Sequence, residues 1–138
     1  MVRLNAILGP GGTGKSWRIN TLIKEDPKFA IRTATTGIAA VNMGTIQGAQ
    51  DPTTINCALQ YFNSENLLRK FHQGRTLFPL KMIGNKYKNI IIDEISMMDG
   101  GTLDVIVMAI AKYNEVLNKD LGLIVCGKKL PSLLEILG

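Results

Sequence analysis

Gly9-Pro10-Gly11-Gly12-Thr13-Gly14-Lys15-Ser16 satisfies the pattern G-x-x-x-x-G-K-S/T at every fixed position. Val2 to Leu8, just before it, reads as a short buried strand. Lys15 to Glu25 reads as a helix, with Ile19, Leu22 and Ile23 at helical spacing and Pro27 ending it. A glycine-rich turn between a strand and a helix is the setting in which this pattern holds phosphate. Glycines at 9, 11, 12 and 14 let the main chain wrap around phosphate oxygens and turn its N–H groups inward, and the helix start adds its positive dipole end. Pro10 and Thr13 complete the loop. Lys15 is expected to reach the β and γ phosphates of ATP, and Ser16 to hold Mg2+ through its hydroxyl, because that small cation prefers oxygen ligands. The alternative is a glycine turn that binds nothing.

Binding phosphate is not yet hydrolysis, which also needs a metal-orienting carboxylate and a way to activate water. Ile90-Ile91-Ile92-Asp93-Glu94 offers both. The β-branched run, read as a strand from Lys88 to Asp93, is of the kind buried on both faces of a parallel sheet. A carboxylate at the end of such a strand lies at the carboxyl edge, beside the phosphate loop, where Asp93 can hold the magnesium shell. Glu94 can then accept a proton from the attacking water. Small-molecule kinases and GTPases commonly lack a carboxylate directly after the metal-binding Asp, so the pair favours hydrolysis over phosphoryl transfer. For Glu94 the competing reading is a solvated loop carboxylate.

The remaining pattern alternates strand and helix. Phe29 to Thr35 reads as a strand, Gly37 to Met43 as a short helix from a Thr-Gly turn, and Gly44 to Pro52 as a loop. Thr53 to Phe62 and Glu65 to His72 read as helical, whereas Gly74 to Asn85 shows no period. Leu103, Ile106, Val107, Ile110, Ala111 and Leu117 form one helix face, opened by Asp99 or Thr102 as a cap, and Leu121 to Cys126 is the last strand. Such alternation implies right-handed crossovers and a parallel sheet covered on both sides.

With 138 residues, 46% apolar and 20% charged, the chain fits one soluble domain. Its apolar runs fall short of the roughly 20 residues that a membrane helix needs, and Gly9 to Gly14 interrupts the only amino-terminal one, so neither a membrane partner nor secretion is expected. The implied setting is cytoplasmic or nuclear, or that of a phage or virus in an infected cell. Cys57 and Cys126 have no second pair and only His72 as a nitrogen ligand, which argues against zinc; the pair reads as two isolated buried thiols in a reducing compartment, with a disulfide as the alternative. The net charge is +5, and between Glu65 and Asp93 there are Arg69, Lys70, Arg75, Lys81, Lys86 and Lys88 but no acidic residue. A basic surface attracts nucleic acid at long range; the bland alternative is a solvated face.

Thr33-Ala34-Thr35-Thr36-Gly37-Ile38-Ala39-Ala40, Thr53-Thr54-Ile55-Asn56 and Asp93-Glu94-Ile95-Ser96-Met97-Met98-Asp99, together with the phosphate loop, resemble superfamily 1 DNA helicases of the RecD, Dda and Pif group. The match runs from about Leu4 to Gly127, in order and spacing. The resemblance implies a three-layer α/β, RecA-like P-loop NTPase fold with a mainly parallel sheet over residues 1–127. It makes Asp93-Glu94 the metal and base motif, and it implies single-stranded DNA contacts, indifferent to sequence, at Thr35, Thr36, Gly37, Thr53, Thr54 and Asn56. Hydroxyls and helix-start N–H groups do grip phosphates without reading sequence, and the same threonines suit helix capping; the two roles are compatible. Asn56 stands where the family often has His. In relatives an insertion in this part of the domain makes the pin that splits the duplex. For residues 63–88 two readings stand side by side: a basic insertion or pin, in which Phe71, His72, Phe78 and Tyr87, interleaved among basic residues, stack on bases, or an ordinary helix and loop with core aromatics.

The family's next motif resembles G-D-x-x-Q-L-P-P, with a Gln that senses the γ phosphate. The chain instead has Gly127-Lys128-Lys129-Leu130-Pro131-Ser132, and no Gln after Gln73, so residues 128–138 form a divergent tail. Only eight residues precede Gly9, leaving no room for the adenine-contacting Gln segment of relatives, so poor base selectivity is expected. A helicase closes two RecA-like domains over ATP, and the second supplies an arginine worth about 10³ to 10⁵ in rate for related NTPases. A second such domain or a partner chain is therefore implied, and the isolated chain is expected to bind Mg-ATP, turn it over slowly and unwind no duplex. The competing reading is a nucleotide-binding module without hydrolysis of its own, acting with a partner. A clamp-loader-like ATPase would need a carboxy-terminal helical lid for which there is no room.

Overall fold

The computed structural model describes residues 2–8 and 15–127, and of residues 15–17 the backbone alone. The strands are β1 (Leu4–Leu8), β2 (Ala30–Ala34), β3 (Thr53–Thr54), β4 (Asn89–Asp93) and β5 (Gly122–Gly127). The helices are α1 (Lys15–Glu25), α2 (Gly37–Asn42), α3 (Ile55–Leu59), α4 (Ser64–His72), α5 (Leu77–Gly84) and α6 (Gly100–Leu117), with a 3-10 turn at Ile95–Met97. The five strands make one sheet, ordered β1-β5-β4-β2-β3, and every neighbouring pair is parallel.

Side-chain alternation sorts the helices onto two faces. Ile90 and Ile92 of β4, with Leu123 and Val125 of β5, point into a core closed by α3, α4, α5 and α6. Ile91, Ile124 and Cys126 point the other way, onto Ile19 and Ile23 of α1. On that same side Ala34 packs against Ala39 and Ala40 of α2. All three isoleucines of β4 are fully buried, each contributing on the order of 2 kcal/mol of transfer free energy. This is the three-layer architecture expected of the triple-isoleucine strand. Arg32, also on the α1 side of β2, is buried and donates to the carbonyls of Gly44 and Gln50, so it ties down the long loop that follows α2. Burial pushes its guanidinium pKa down from the ordinary value.

Several sequence expectations need correction. Thr53 to Phe62 is not one helix: Thr53 and Thr54 pair with Thr33 and Ala34 as β3, α3 is five residues, and Gln60 ends it in the left-handed region at φ 60°. Gly74 to Asn85 hides α5. Pro79 falls in its first turn, where a missing N–H is harmless, and apolar residues on every side of the helix conceal its period. Leu22 and Leu117 are exposed, not core, and α6 instead buries Thr102, Val105, Tyr113 and Asn114 beside Leu103, Ile106 and Ile110. Asp99, not Thr102, caps α6, accepting from the Gly101 N–H. Of the two thiols, Cys126 is buried and Cys57 exposed.

Gly84 ends α5 against the ring of Tyr113. A Cβ there would lie 2.1 Å from the Tyr113 hydroxyl oxygen and 2.7 Å from Cζ. The ring is fully buried, and its hydroxyl has no hydrogen-bond partner among the described residues. Gly84→Ala is expected to cost about 1–3 kcal/mol by overpacking, read as a lower urea midpoint at unchanged slope. Tyr113→Phe, which removes the oxygen being struck and a polar atom without a partner but leaves Cζ in place, should restore part of that loss. Additive effects in the double variant would refute this contact as the cause.

Candidate functional site

Both candidate carboxylates lie at the carboxyl edge of the sheet. Ile92 pairs with Val125 and Val125 with Ala6, so Asp93, one residue further on, is level with Ile7, two strands away. Two strand spacings are about 10 Å. β1 ends at Leu8 and α1 opens at Lys15, so the glycine-rich stretch is approached from a parallel strand at this edge and followed by a helix. Gly9, Pro10, Gly11, Gly12, Thr13 and Gly14 themselves lie outside the described residues, as do the side chains of Lys15 and Ser16 and the tail 128–138.

Between β4 and β2 the outgoing chain splits. After β2 it enters α2 on the α1 face, and after β4 it enters α6 on the opposite face. Such a switch point opens a crevice at the carboxyl ends of parallel strands, the usual place for ligands in open α/β sheets. Asp93, Glu94, Thr35 and Thr36 all stand at it.

The run Asp93 to Asp99 has a clear local logic. Asp93 closes β4, opposite Ala34. Glu94 then turns the chain at φ 56°, ψ 46°, a left-handed conformation that costs a residue with a Cβ about 1–2 kcal/mol. It is pinned on both sides. Its N–H donates to Asp93 Oδ1 at 2.8 Å, and its carbonyl accepts from Thr35 Oγ1 at 2.9 Å and from the Met97 N–H at 3.0 Å. The Thr35 N–H donates to the Asp93 carbonyl at 3.2 Å. Ile95, fully buried, anchors the 3-10 turn, and Asp99 starts α6. Asp93 and Glu94 remain partly exposed and line a cavity of about 360 Å3 with Thr36, Ile38, Asn42 and Met97.

Two threonines of the expected strand-binding set are helix caps. Thr36 Oγ1 accepts from the Ala39 N–H and Thr54 Oγ1 from the Cys57 N–H. Accepting leaves each hydroxyl its proton, so capping and donation to a phosphate oxygen are compatible. Gly37 opens α2 and is exposed; Thr53, in β3, is half-buried. Asn56 Nδ2 donates to the Phe62 carbonyl.

Asn56 also joins two further hollows. One, shared with Thr35, Met97 and Asp99, meets the carboxylate cavity at Met97; the other, about 510 Å3, is lined by Asn56, Cys57, Gln60, Tyr61, Phe62 and Lys70. Neighbouring hollows thus share wall residues, and the row of three from Glu94 to Phe62 is termed the furrow. Sequence reading missed Phe62, whose ring is 86% exposed. The sequence signal for it is an aromatic pair, Tyr61-Phe62, inside a stretch whose pattern predicts a helix. Tyr61 is buried, which pushes its hydroxyl pKa up to about 12.

Residues 64–72 and 77–84 are helices packed on α6 and α3. Phe71 is partly buried in the core, with Lys112 5.5 Å above its ring, and His72 leans on it. The Tyr87 hydroxyl donates to Gln50, Lys88 pairs with Asp26, and Lys70 donates to the Gln60 carbonyl. Arg69, Arg75, Lys81 and Lys86 are exposed. Another cavity of about 510 Å3 opens at the opposite edge, where strands begin, lined by Arg3, Lys88, Asn89 and Tyr113. Arg3 and Lys88 there are already paired, with Asp120 and Asp26, so the crevice at the carboxyl edge is the better ligand site.

A parallel sheet covered on both faces, with the glycine-rich G-x-x-x-x-G-K-S sequence between β1 and α1 and an acidic strand end at the same edge, defines a RecA-like P-loop NTPase domain. The chain belongs to the PIF1-like helicase family, whose model matches residues 4–129. It is 34% identical over 126 residues to the ATP-dependent DNA helicase PIF1 of Candida albicans, covering 86% of this chain and 13% of that protein. The crystal structure of Candida albicans Pif1 helicase superposes with a TM-score of 0.56 at 26% identity, over 92% of this chain and 28% of the other. Bacteroides Pif1, in complex with ADP-AlF4, gives 0.59 at 23% identity, over 99% of this chain and 32% of the other. The chain thus spans 13% of the curated relative and about a third or less of the solved chains.

Proposed function

We propose that this chain is an ATP-binding and ATP-hydrolysing motor domain that works on single-stranded DNA as part of a PIF1-like helicase. The observation that carries the reading is the carboxylate pair at the switch point, level with the end of β1. The 34% identical relative is an ATP-dependent DNA helicase, which supports the same nucleotide and polymer.

The donor set at this edge fits magnesium and a triphosphate: Asp93 offers a hard carboxylate, and Ser16 is the hydroxyl in the phosphate motif. When bound, the magnesium ion supplies positive charge against the β and γ phosphate oxygens. Residues 9–14 and Lys15 would hold the phosphates, and Asp93 with Ser16 would hold the metal. Glu94, turned out of the strand by its left-handed backbone, takes the proton from the attacking water. The strand runs along the furrow past Met97 and Asn56, held at its phosphates by the Thr36 hydroxyl proton and Lys70, and stacked on Phe62.

Two measurements test this. ATP turnover by the chain is expected to rise when a dT oligonucleotide is added; turnover indifferent to the strand contradicts the motor reading. Phe62→Ala is expected to weaken dT binding roughly 5- to 100-fold by fluorescence anisotropy, since base stacking on an aromatic is worth about 1–3 kcal/mol. Unchanged affinity would remove Phe62 from the path.

A further inference from the structure

We propose that Thr35 is a positioning residue that relays strand occupancy at the α2 side of the furrow to the conformation of Glu94. The inference rests on the motor reading above and says how its two ligands communicate.

The Thr35 hydroxyl has one proton, and it is spent on the Glu94 carbonyl at 2.9 Å. That distinguishes Thr35 from Thr36 and Thr54, whose hydroxyls accept from backbone N–H groups and keep their protons. Thr35 therefore acts inward, as a strut, while its neighbour Thr36 faces solvent at the start of α2. The strut meets a residue in a conformation that survives only where surrounding bonds overdetermine it. Among the described residues three hold the Glu94 backbone: Asp93 Oδ1 at its N–H, with Thr35 Oγ1 and the Met97 N–H at its carbonyl. The Met97 bond belongs to the local turn and the Asp93 bond to the adjacent residue. Among the described residues Thr35 is the one partner from another segment, and the next residues of that segment, Thr36 and Gly37, are exposed where the proposed DNA path begins.

A phosphate drawn to Thr36 pulls on the peptide that joins it to Thr35, and the Thr35 hydroxyl carries the shift to the Glu94 carbonyl. With the strut made, Glu94 stays left-handed and its carboxylate stays at the cavity it shares with Asp93 and Thr36. With the strut broken, Glu94 has two local bonds left and an ordinary right-handed or extended conformation to relax into.

The test uses the whole 138-residue chain, 15N-labelled, with Thr35→Val, which keeps the shape and removes the proton, and Thr35→Ser, which keeps the proton. Thr35→Ala replaces the valine variant should the second methyl crowd its neighbours. In the free protein the Glu94 amide is expected to exchange with solvent on the order of 10-fold faster in Thr35→Val than in wild type, and at the wild-type rate in Thr35→Ser. On adding dT oligonucleotide, the Glu94 resonance is expected to shift in wild type and Thr35→Ser but not in Thr35→Val. Where turnover is measurable, kcat should fall on the order of 10-fold in Thr35→Val with KM for ATP unchanged. Glu94 exchange or strand response unaltered in Thr35→Val overturns the relay. A wild type in which dT shifts no resonance at all overturns the strand-binding reading itself, and the relay with it, while amide exchange in the free chain still decides whether Thr35 braces Glu94.

Discussion

Glu94→Gln is expected to abolish strand-stimulated ATP turnover while leaving nucleotide affinity within about twofold. The substitution keeps the size and the left-handed backbone but removes the group that accepts a proton, a loss worth roughly 10²- to 10⁴-fold in rate for a general base. Affinity should hold because the proposed site assigns the binding contacts to residues 9–16 and Asp93, not to Glu94. A fluorescent ATP analogue gives the affinity and phosphate release gives the rate, for wild type and variant side by side. Turnover retained in Glu94→Gln would sink Glu94 as the base. Tight binding without turnover in either protein would favour the nucleotide-responsive module over the motor.

The largest loss of stability is expected at Asn114→Ala. Asn114 is buried near the end of α6, and its amide makes a reciprocal pair with the backbone of Leu121: Nδ2 donates to the Leu121 carbonyl at 3.1 Å, and Oδ1 accepts the Leu121 N–H at 2.9 Å. Its own carbonyl accepts the Lys119 N–H, and Asn118 ends the helix in the left-handed region at φ 53°. The pair fixes how the chain leaves α6 and enters β5. Truncation strands two buried backbone groups at about 1–3 kcal/mol each, so a loss of about 2–5 kcal/mol is expected, a large share of the 5–15 kcal/mol typical of a domain. Urea unfolding checks it. A loss below about 1 kcal/mol would mean that solvent reaches the stranded groups.

The parts of this fold that were legible in advance are those where one local signal dominates. Ile90-Ile91-Ile92 admits only a strand buried on both faces, and Asp93 at its end falls at the ligand edge for that reason. α1 begins and ends at the residues read from the sequence, since Pro27 and the glycine loop bracket it. Where tertiary contacts overrode local preference, reading failed. Thr53 and Thr54 look like the start of a helix and are drawn into pairing with β2, which leaves α3 short and turns Phe62 out to solvent. α5 has too many apolar residues for a period to show, because Pro79, Leu80 and Ile83 face the core while Phe78 and Met82 do not. The strut from Thr35 to Glu94 joins residues 59 apart in sequence, and no spacing rule reaches that far.

β1 borders the sheet, with Leu4 and Leu8 about half exposed and a strand partner on one flank alone among the described residues. Its outward row of amide and carbonyl groups is a template that any extended polypeptide can match, whatever its side chains. Crowding of the chain handled by itself is therefore expected to favour ribbon-to-ribbon docking of β1 against foreign or sister backbone. The remedy is a charged side chain on the open flank, which leaves the crevice chemistry at the other strands untouched.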